Sequence, residues 1–232
     1  MNLIADKLIN STIECYNNTA AQYGNLRAEI KEIDKERWNI LATCIKQNFS
    51  TIENLKILDI GACGGRDLLY GQQLGYDMYG IEISDGFLSI LEQLFDNGKL
   101  NNKVKKCDMR EIDYPDNFFD VVRHNATLSH IPVIGKSYTA DKALEESYRI
   151  LKKNGLLYVY VKEGRKEGKK KGELRIHDTN EGLGERIFQS FPVELLHEVI
   201  ERNGFKILVT KKSQEVRPKD IIYRLLTVAC KI

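Results

Sequence analysis

Apolar residues recur at three- and four-residue steps near the start of the chain, as Ile30, Ile33, Ile40, Leu41, Cys44, Ile45 and Phe49. That period lines one face of a helix, so the region up to about residue 50 is predicted to be helical. From Lys56 onward the pattern changes to short apolar runs near 56–60, 78–83, 104–107, 119–125, 156–162, 205–210 and 222–230. Runs of that length bounded by turn residues predict strands, and helical patterns lie between them. The alternation predicts an α/β fold whose seven strands form a doubly wound, mostly parallel sheet covered on both faces. A helix over 192–203 is well punctuated, with Pro192 in its first turn, Glu194 near its amino end and Gly204 just beyond. No linker composition divides the early helices from Lys56. The expectation is one domain over 1–232, a helical N-terminal cap at 1–50 on an α/β core at 51–232.

Composition narrows the class. A chain of 232 residues with 42% hydrophobic content can bury a full core without metals or disulfides. Thirty-five basic and 33 acidic residues leave a formal charge of +2, which implies no polyanion, so no nucleic-acid partner is expected. The five cysteines include no C-x-x-C pair, which excludes the usual zinc and redox spacings and leaves no metal site expected. An odd number of cysteines fits reduced thiols in a cytoplasmic protein. Asp6 and Lys7 interrupt the apolar amino terminus, no signal-peptide core forms, and no run reaches membrane-spanning length.

The stretch from Lys56 to Ser84, KILDIGACGGRDLLYGQQLGYDMYGIEIS, carries the strongest chemical signal. It reads as strand, glycine loop, helix and second strand, with Glu82 about twenty residues past the glycines, the layout of a nucleoside site. Gly61, Gly64 and Gly65 let the backbone turn where a Cβ would clash. Glu82, an acceptor when ionised, suits a ribose diol. The glycines do not read G-x-G-x-x-G, and Asp59 would repel a pyrophosphate but can organise a ligand bearing an ammonium group. A nucleoside without phosphate is expected.

Here the chain resembles the class I S-adenosylmethionine-dependent methyltransferases, whose first motif is D-x-G-C-G-x-G. Ala62-Cys63 stands where that family usually has Cys-Gly. The resemblance extends through three further stretches. Val104 to Arg110 looks like the third strand and its following acid. Phe118 to His130 looks like the fourth strand and the turn beside the reaction centre. Tyr148 to Val161 looks like the next helix, turn and fifth strand. Lys153-Asn154-Gly155 keeps one glycine of the usual Pro-Gly-Gly, where a helix would end. The implied fold is Rossmann-like with the last strand antiparallel. The implied cofactor is S-adenosylmethionine, with S-adenosylhomocysteine as product.

The resemblance implies cofactor contacts at Tyr16, Tyr23, Arg27, Asp59, Gly61, Ala62, Gly65, Glu82, Ile83, Asp108, Met109 and His124. Asp108 would meet the adenine amino group, and Tyr16, Tyr23 and Arg27 would close over the methionine end. Ordinary helix packing explains the tyrosines equally simply, and His124 reads as either a cofactor neighbour or a buried core residue. His130 is the candidate general base, an imidazole near neutral pH on a loop at the sheet's carboxyl edge, or else a residue that fixes the turn before Pro132. Lys162 and Glu163 are candidates for the acceptor side. Cys63 reads as small filler, and His177 and His197 carry no motif. Gly164 to Gly172, with three glycines and five basic residues, reads as a loop bordering the substrate.

Methyl transfer from a sulfonium depends chiefly on holding the reacting atoms in line, so no conspicuous acid/base pair is required. The acceptor implied is a small molecule methylated on O or N, by a monomer or homodimer. A transfer-RNA base or wobble-side-chain methyltransferase shares these motifs. A non-catalytic cofactor-binding partner of another methyltransferase is favoured only by Cys63.

Overall fold

The structure, a computed structural model, describes residues 3–26, 28–100, 103–133, 140–165, 174–178, 185–217 and 220–232. Two helices open the chain, α1 (Leu3–Leu26) and α2 (Glu32–Asn48). Then follow β1 (Lys56–Ile60), α3 (Arg66–Gln73), β2 (Asp77–Glu82), α4 (Asp85–Asp96), β3 (Val104–Lys106) and β4 (Phe119–Asn125). After a 3-10 turn at Leu128–His130 come α5 (Ala140–Ile150), β5 (Leu151–Arg165), β6 (Leu174–Asp178) and β7 (Glu185–Gln189). The chain closes with α6 (Val193–Arg202), β8 (Phe205–Arg217) and β9 (Asp220–Lys231).

Seven strands form one sheet in the order β3-β2-β1-β4-β5-β9-β8. The first five are parallel to their neighbours, and β9 runs antiparallel between β5 and β8. This is the doubly wound, Rossmann-like sheet that the apolar runs imply. The central strands have nearly continuous burial, as strands covered on both faces must. Along β5 the side chains alternate between two cores. Leu157, Val159 and Val161 face α5 and α6, whereas Leu156, Tyr158 and Tyr160 face the core containing Trp38, Leu41 and Ile45 of α2.

Three features differ from the sequence expectation. The fifth strand begins at Leu151, directly after α5, and the residue with the left-handed backbone in that turn is Asn154 (φ 63°), not Gly155. Asparagine tolerates that region, so the turn needs no glycine there. The last two strands of the main sheet are longer than their apolar runs, because their polar ends pair with each other as an extended hairpin. The β6–β7 pair is a separate two-stranded antiparallel ribbon for which no strand was expected. Most of the basic loop, residues 166–173, lies outside the described residues.

The first helix reaches the sheet's carboxyl edge by packing on α4 and β7. Its approach to α4 is close: a Cβ on Gly86 would stand 2.6 Å from the Asn17 carbonyl oxygen and 2.8 Å from Ala20 Cβ, so only glycine fits. The Asn17 side chain oxygen accepts from Ser84 Oγ at 2.8 Å, and the Ile187 amide donates to Thr12 Oγ1 at 3.1 Å. α1 thereby becomes a roof over the carboxyl ends of β1, β2 and β4, where open α/β sheets hold ligands. No helix among the described residues is long and apolar enough to cross a membrane.

Candidate active site

The turn after β1 alternates its backbone: Gly61 (φ 76°), Cys63 (φ 49°) and Gly65 (φ 79°) all lie in the left-handed region. Gly61 has a second constraint, since a Cβ there would sit 2.7 Å from Thr127 Cγ2. Its amide and that of Ala62 donate to the Ile81 carbonyl at 2.8 and 3.1 Å, which joins the loop to β2. Cys63 thus holds the conformation that glycine would take, at a cost of roughly 1–2 kcal/mol for an L-residue. Burial, reinforced by Glu82 and Asp59, pushes its thiol well above the usual range, so it stays protonated and is no nucleophile.

Glu82, 6% exposed at the end of β2, is held by three backbone donors. The Cys63 amide reaches Oε2 at 2.8 Å, and the Ile83 and Ser84 amides reach Oε1 at 2.8 and 2.9 Å. Burial raises its pKa, and these bonds oppose the rise. A carboxylate offers about four lone-pair sites, so roughly one remains for a ligand hydroxyl, at Oε2. Binding both hydroxyls of a diol would need one oxygen to share its acceptor positions.

A cleft of about 830 Å³, its open mouth included, runs from this loop beneath α1. Tyr16, Tyr23, Gly61, Glu82, Ile83, Asp108, Met109 and His130 line it, together with Cys63, Phe87 and Thr127. Asp108 holds the Arg110 guanidinium through both oxygens, at 3.1 and 2.7 Å. Tyr16 and Tyr23 meet edge to face at 5.6 Å, and each lies about one ring diameter from Phe87, at 5.9 and 6.0 Å. The lining therefore offers a carboxylate for a ribose, an acidic turn for an adenine edge, and aromatic faces that attract a cation such as a sulfonium. These residues fit S-adenosylmethionine.

Several expected site residues stand elsewhere. Asp59 does not line the cleft. Its Oδ1 accepts from Arg123 Nη1 at 2.9 Å inside a buried network. Arg123 also holds Asp67 at 3.1 Å, and Asp67 accepts from Trp38 Nε1 at 2.9 Å and from Arg66 at 2.7 Å. The Arg123 guanidinium lies 3.9 Å from the Trp38 ring centre. Burial pushes Asp59 up to about 7, partly countered by Arg123, whereas for Asp67 the two arginines outweigh burial and hold it well below the carboxylate range. An ammonium-bearing ligand would have to displace an arginine already in place, so the expected direct role of Asp59 is corrected to one in fixing the strand and loop.

His124 is also corrected. It is fully buried on the α5 side of β4, its Nε2 2.8 Å from Ser147 Oγ, and burial lowers it to about 3. It is a core residue. Ala62 and Gly65 shape the loop from behind, Gly65 opening α3, and neither lines the cleft. Glu163 pairs with Lys212 at 2.6 Å, and the Lys162 ammonium sits 3.5 Å from the Phe188 ring centre. Arg27 lies outside the described residues. His197 bonds Thr210 Oγ1 at 2.8 Å between α6 and β8.

His130 differs most from expectation. Its Nδ1 lies 2.9 Å from the Ile187 carbonyl oxygen, which can only accept, so Nδ1 carries the proton of the neutral ring. Its Nε2, 3.0 Å from Tyr16 Oη, then accepts the tyrosine's hydroxyl hydrogen. Arg186 Nη1 in turn donates to Tyr16 Oη at 3.0 Å. Burial, against the Ile187 bond, pushes His130 down to about 4, not near neutrality. Burial also raises Tyr16 well above its ordinary range. Both imidazole nitrogens are engaged, and the dyad is neutral. As arranged it offers a latch between α1, the 3-10 turn and β7, not a free base.

Sequence reasoning missed Phe87, Thr127, Arg123 and Arg186. Phe87 and Thr127 follow recognised strands by a few residues and Arg123 lies within β4, but none carries a pattern of its own. Arg186 acquires its place only through the β6–β7 ribbon.

Comparison with known proteins agrees with this geometry. Residues 58–159 match the model of a family described as a methyltransferase domain. A solved S-adenosylmethionine-dependent methyltransferase from Methanosarcina mazei is 21% identical, with 82% of this chain and 97% of that one aligned at a TM-score of 0.67. The 1,6-didemethyltoxoflavin-N1-methyltransferase of Burkholderia thailandensis, solved with 1,6-didemethyltoxoflavin and S-adenosylhomocysteine, is 16% identical over 98% of this chain and 90% of its own, with a TM-score of 0.69. An uncharacterized protein of Haemophilus influenzae is 26% identical over 111 residues, 47% of this chain and 43% of that protein, so the match spans less than half of that relative. The matched segment is similar to a methyltransferase domain, and the sheet has the Rossmann-like fold of the aligned solved structures. S-adenosylmethionine is the cofactor of that family.

Proposed function

We propose that this protein transfers a methyl group from S-adenosylmethionine to an O or N atom of a small-molecule acceptor. The observation that carries the reading is the buried Glu82 carboxylate, facing the cleft from the end of β2 and locked to the glycine loop through Cys63. Bound there, S-adenosylmethionine supplies an electrophilic methyl on a positively charged sulfur. Glu82 would hold a ribose hydroxyl, while Asp108 and Met109 would flank the adenine. Tyr16, Tyr23 and Phe87 would face the cationic end, excluding water under α1. The chain's contribution is positioning, consistent with a cleft whose one histidine is neutral and bonded at both nitrogens.

The toxoflavin enzyme, which matches nearly the whole chain, acts on a small molecule, and that supports the same acceptor class here. Cys63 gives little support to a non-catalytic partner, because its backbone takes glycine's conformation. The test is incubation with methyl-tritiated S-adenosylmethionine and either a low-molecular-weight cell fraction or bulk RNA. Label should enter small molecules. Label confined to RNA, or absent from both while S-adenosylhomocysteine binds, would contradict the reading.

A further inference from the structure

Asn125 ends β4 beside the glycine loop: Ile60 pairs with His124, so Gly61 and Asn125 leave their strands side by side. Positions 123 and 125 project from the same face of the strand, and both side chains reach Asp67. Asn125 Nδ2 donates to Asp67 Oδ2 at 3.3 Å. A carboxylate only accepts, which turns the amide nitrogen toward Asp67 and leaves Oδ1 on the other arm. That oxygen is buried and has no hydrogen-bond partner. Ser129 Oγ, Tyr158 Oη and Glu163 Oε2 are also buried and unpartnered among the described residues, but of these four residues only Asn125 lines the cleft. A buried acceptor without a donor is unfavourable, so its place on the cleft points to a ligand that supplies one.

The neighbouring charges indicate what kind of donor. Burial opposes ionisation of Asp67, but Arg123 and Arg66 outweigh it and keep the carboxylate charged. An amide that donates to a carboxylate carries more negative charge on its own oxygen, which makes Oδ1 a stronger acceptor for a cation. Arg66 and Arg123 are themselves paired with Asp34, Asp67 and Asp59, so this wall presents no uncompensated cation. The nearby carboxylates are committed: Glu82 to three backbone amides, Asp108 to Arg110, and Asp59, behind the loop, to Arg123. S-adenosylmethionine carries one ammonium group, on its amino-acid end, and a buried ammonium needs acceptors.

We propose that Asn125 Oδ1 accepts a hydrogen bond from the ammonium group of S-adenosylmethionine, the role that Asp59 cannot fill while Arg123 holds it. This rests on the methyl-transfer reading above and concerns the cofactor's amino-acid end in the same cleft. Asp67 is then a positioning residue, which fixes the amide through Oδ2 while its Oδ1 accepts from Trp38 Nε1 on α2 at 2.9 Å. The nucleoside half still lies against Glu82 and Asp108, so the ammonium contact adds affinity without changing nucleoside recognition.

The experiment titrates the full chain, by calorimetry, with three ligands. S-adenosylhomocysteine carries the ammonium, its deaminated analogue has hydrogen in that place, and methylthioadenosine lacks the whole amino-acid end. The native protein should bind S-adenosylhomocysteine roughly tenfold or more tightly than the deaminated analogue, the range of one charged hydrogen bond. Asn125→Leu, of similar volume without the oxygen, should erase that preference and leave methylthioadenosine affinity unchanged. Asn125→Thr, which keeps an accepting oxygen on a side chain suited to a strand, should retain part of the preference and serves if the leucine variant does not fold. Equal binding of S-adenosylhomocysteine and its deaminated analogue by the native protein would overturn the proposal. So would a full preference in Asn125→Leu, which would give the ammonium another acceptor. A loss of affinity in Asn125→Leu that methylthioadenosine shares equally would also overturn it, because the amide would then shape the cleft as a whole. Failure of the native protein to bind any of the three ligands removes the methyl-transfer reading itself.

Discussion

The backbone amide of Cys63 donates to Glu82 Oε2 across 2.8 Å, so the loop after β1 is fastened to the end of β2 by the carboxylate that faces the cleft. The same side chain caps the Ile83 and Ser84 amides at the start of α4. Glu82 therefore serves architecture and ligand together. Glu82→Ala should weaken S-adenosylhomocysteine binding by ~1.5–3 kcal/mol and also lower unfolding stability, because three buried donors lose their acceptor. Calorimetry and urea unfolding of the variant check both halves. Full stability with reduced affinity would mean that the three amides find other partners.

Cys63 invites a stabilising substitution. Cys63→Gly should be neutral or gain up to ~1 kcal/mol, the left-handed strain being relieved against a more flexible unfolded chain. Cys63→Val should lose stability, since β-branching is least tolerated at positive φ. Denaturant midpoints compare the three proteins. A clear loss on changing to glycine would show that the thiol's packing outweighs the backbone strain.

The network around Arg123 makes a sharper prediction. Arg123→Met leaves Asp59 and Asp67 buried without their shared cation, and breaking such a pair costs ~3–5 kcal/mol. Replacing all three by apolar residues should recover much of that loss. Unfolding measurements on the single and triple variants decide it, and a single variant as stable as the native protein would contradict the buried ionic arrangement.

Acid sensitivity follows from the two buried histidines. Burial lowers His124 to about 3 and His130 to about 4, against an unfolded value of 6.5. The unfolded chain therefore binds protons first as pH falls. The histidines' contribution to stability should be complete above about pH 6.5 and decline below it, at up to ~1.4 kcal/mol per pH unit for each histidine, with the raised Asp59 opposing that slope between about pH 7 and 4. His124→Leu, which keeps the volume near that of imidazole, should flatten the slope between pH 6 and 4. An unchanged slope would remove His124 as a cause.

The seven strands of the main sheet were legible because strands buried on both faces must be apolar runs, and the turn after β1 because it needs residues able to adopt positive φ. Gly61 and Gly65 announce that need, and Cys63 conceals it. The environment of His130 was not legible. Its two partners are Tyr16, 114 positions earlier, and the carbonyl of Ile187, 57 positions later on an unexpected ribbon. No local pattern encodes that the ring is buried between them. Asp59 was misjudged for a similar reason: the arginine that occupies it lies 64 residues away on the neighbouring strand, and no local pattern pairs the two.

The most direct test is a calorimetric titration of the purified protein with S-adenosylhomocysteine. One site per chain is expected, with the affinity falling in Glu82→Ala and in Asp108→Ala. Absence of binding, with no rise in melting temperature at millimolar ligand, would contradict the assignment of the cleft to S-adenosylmethionine.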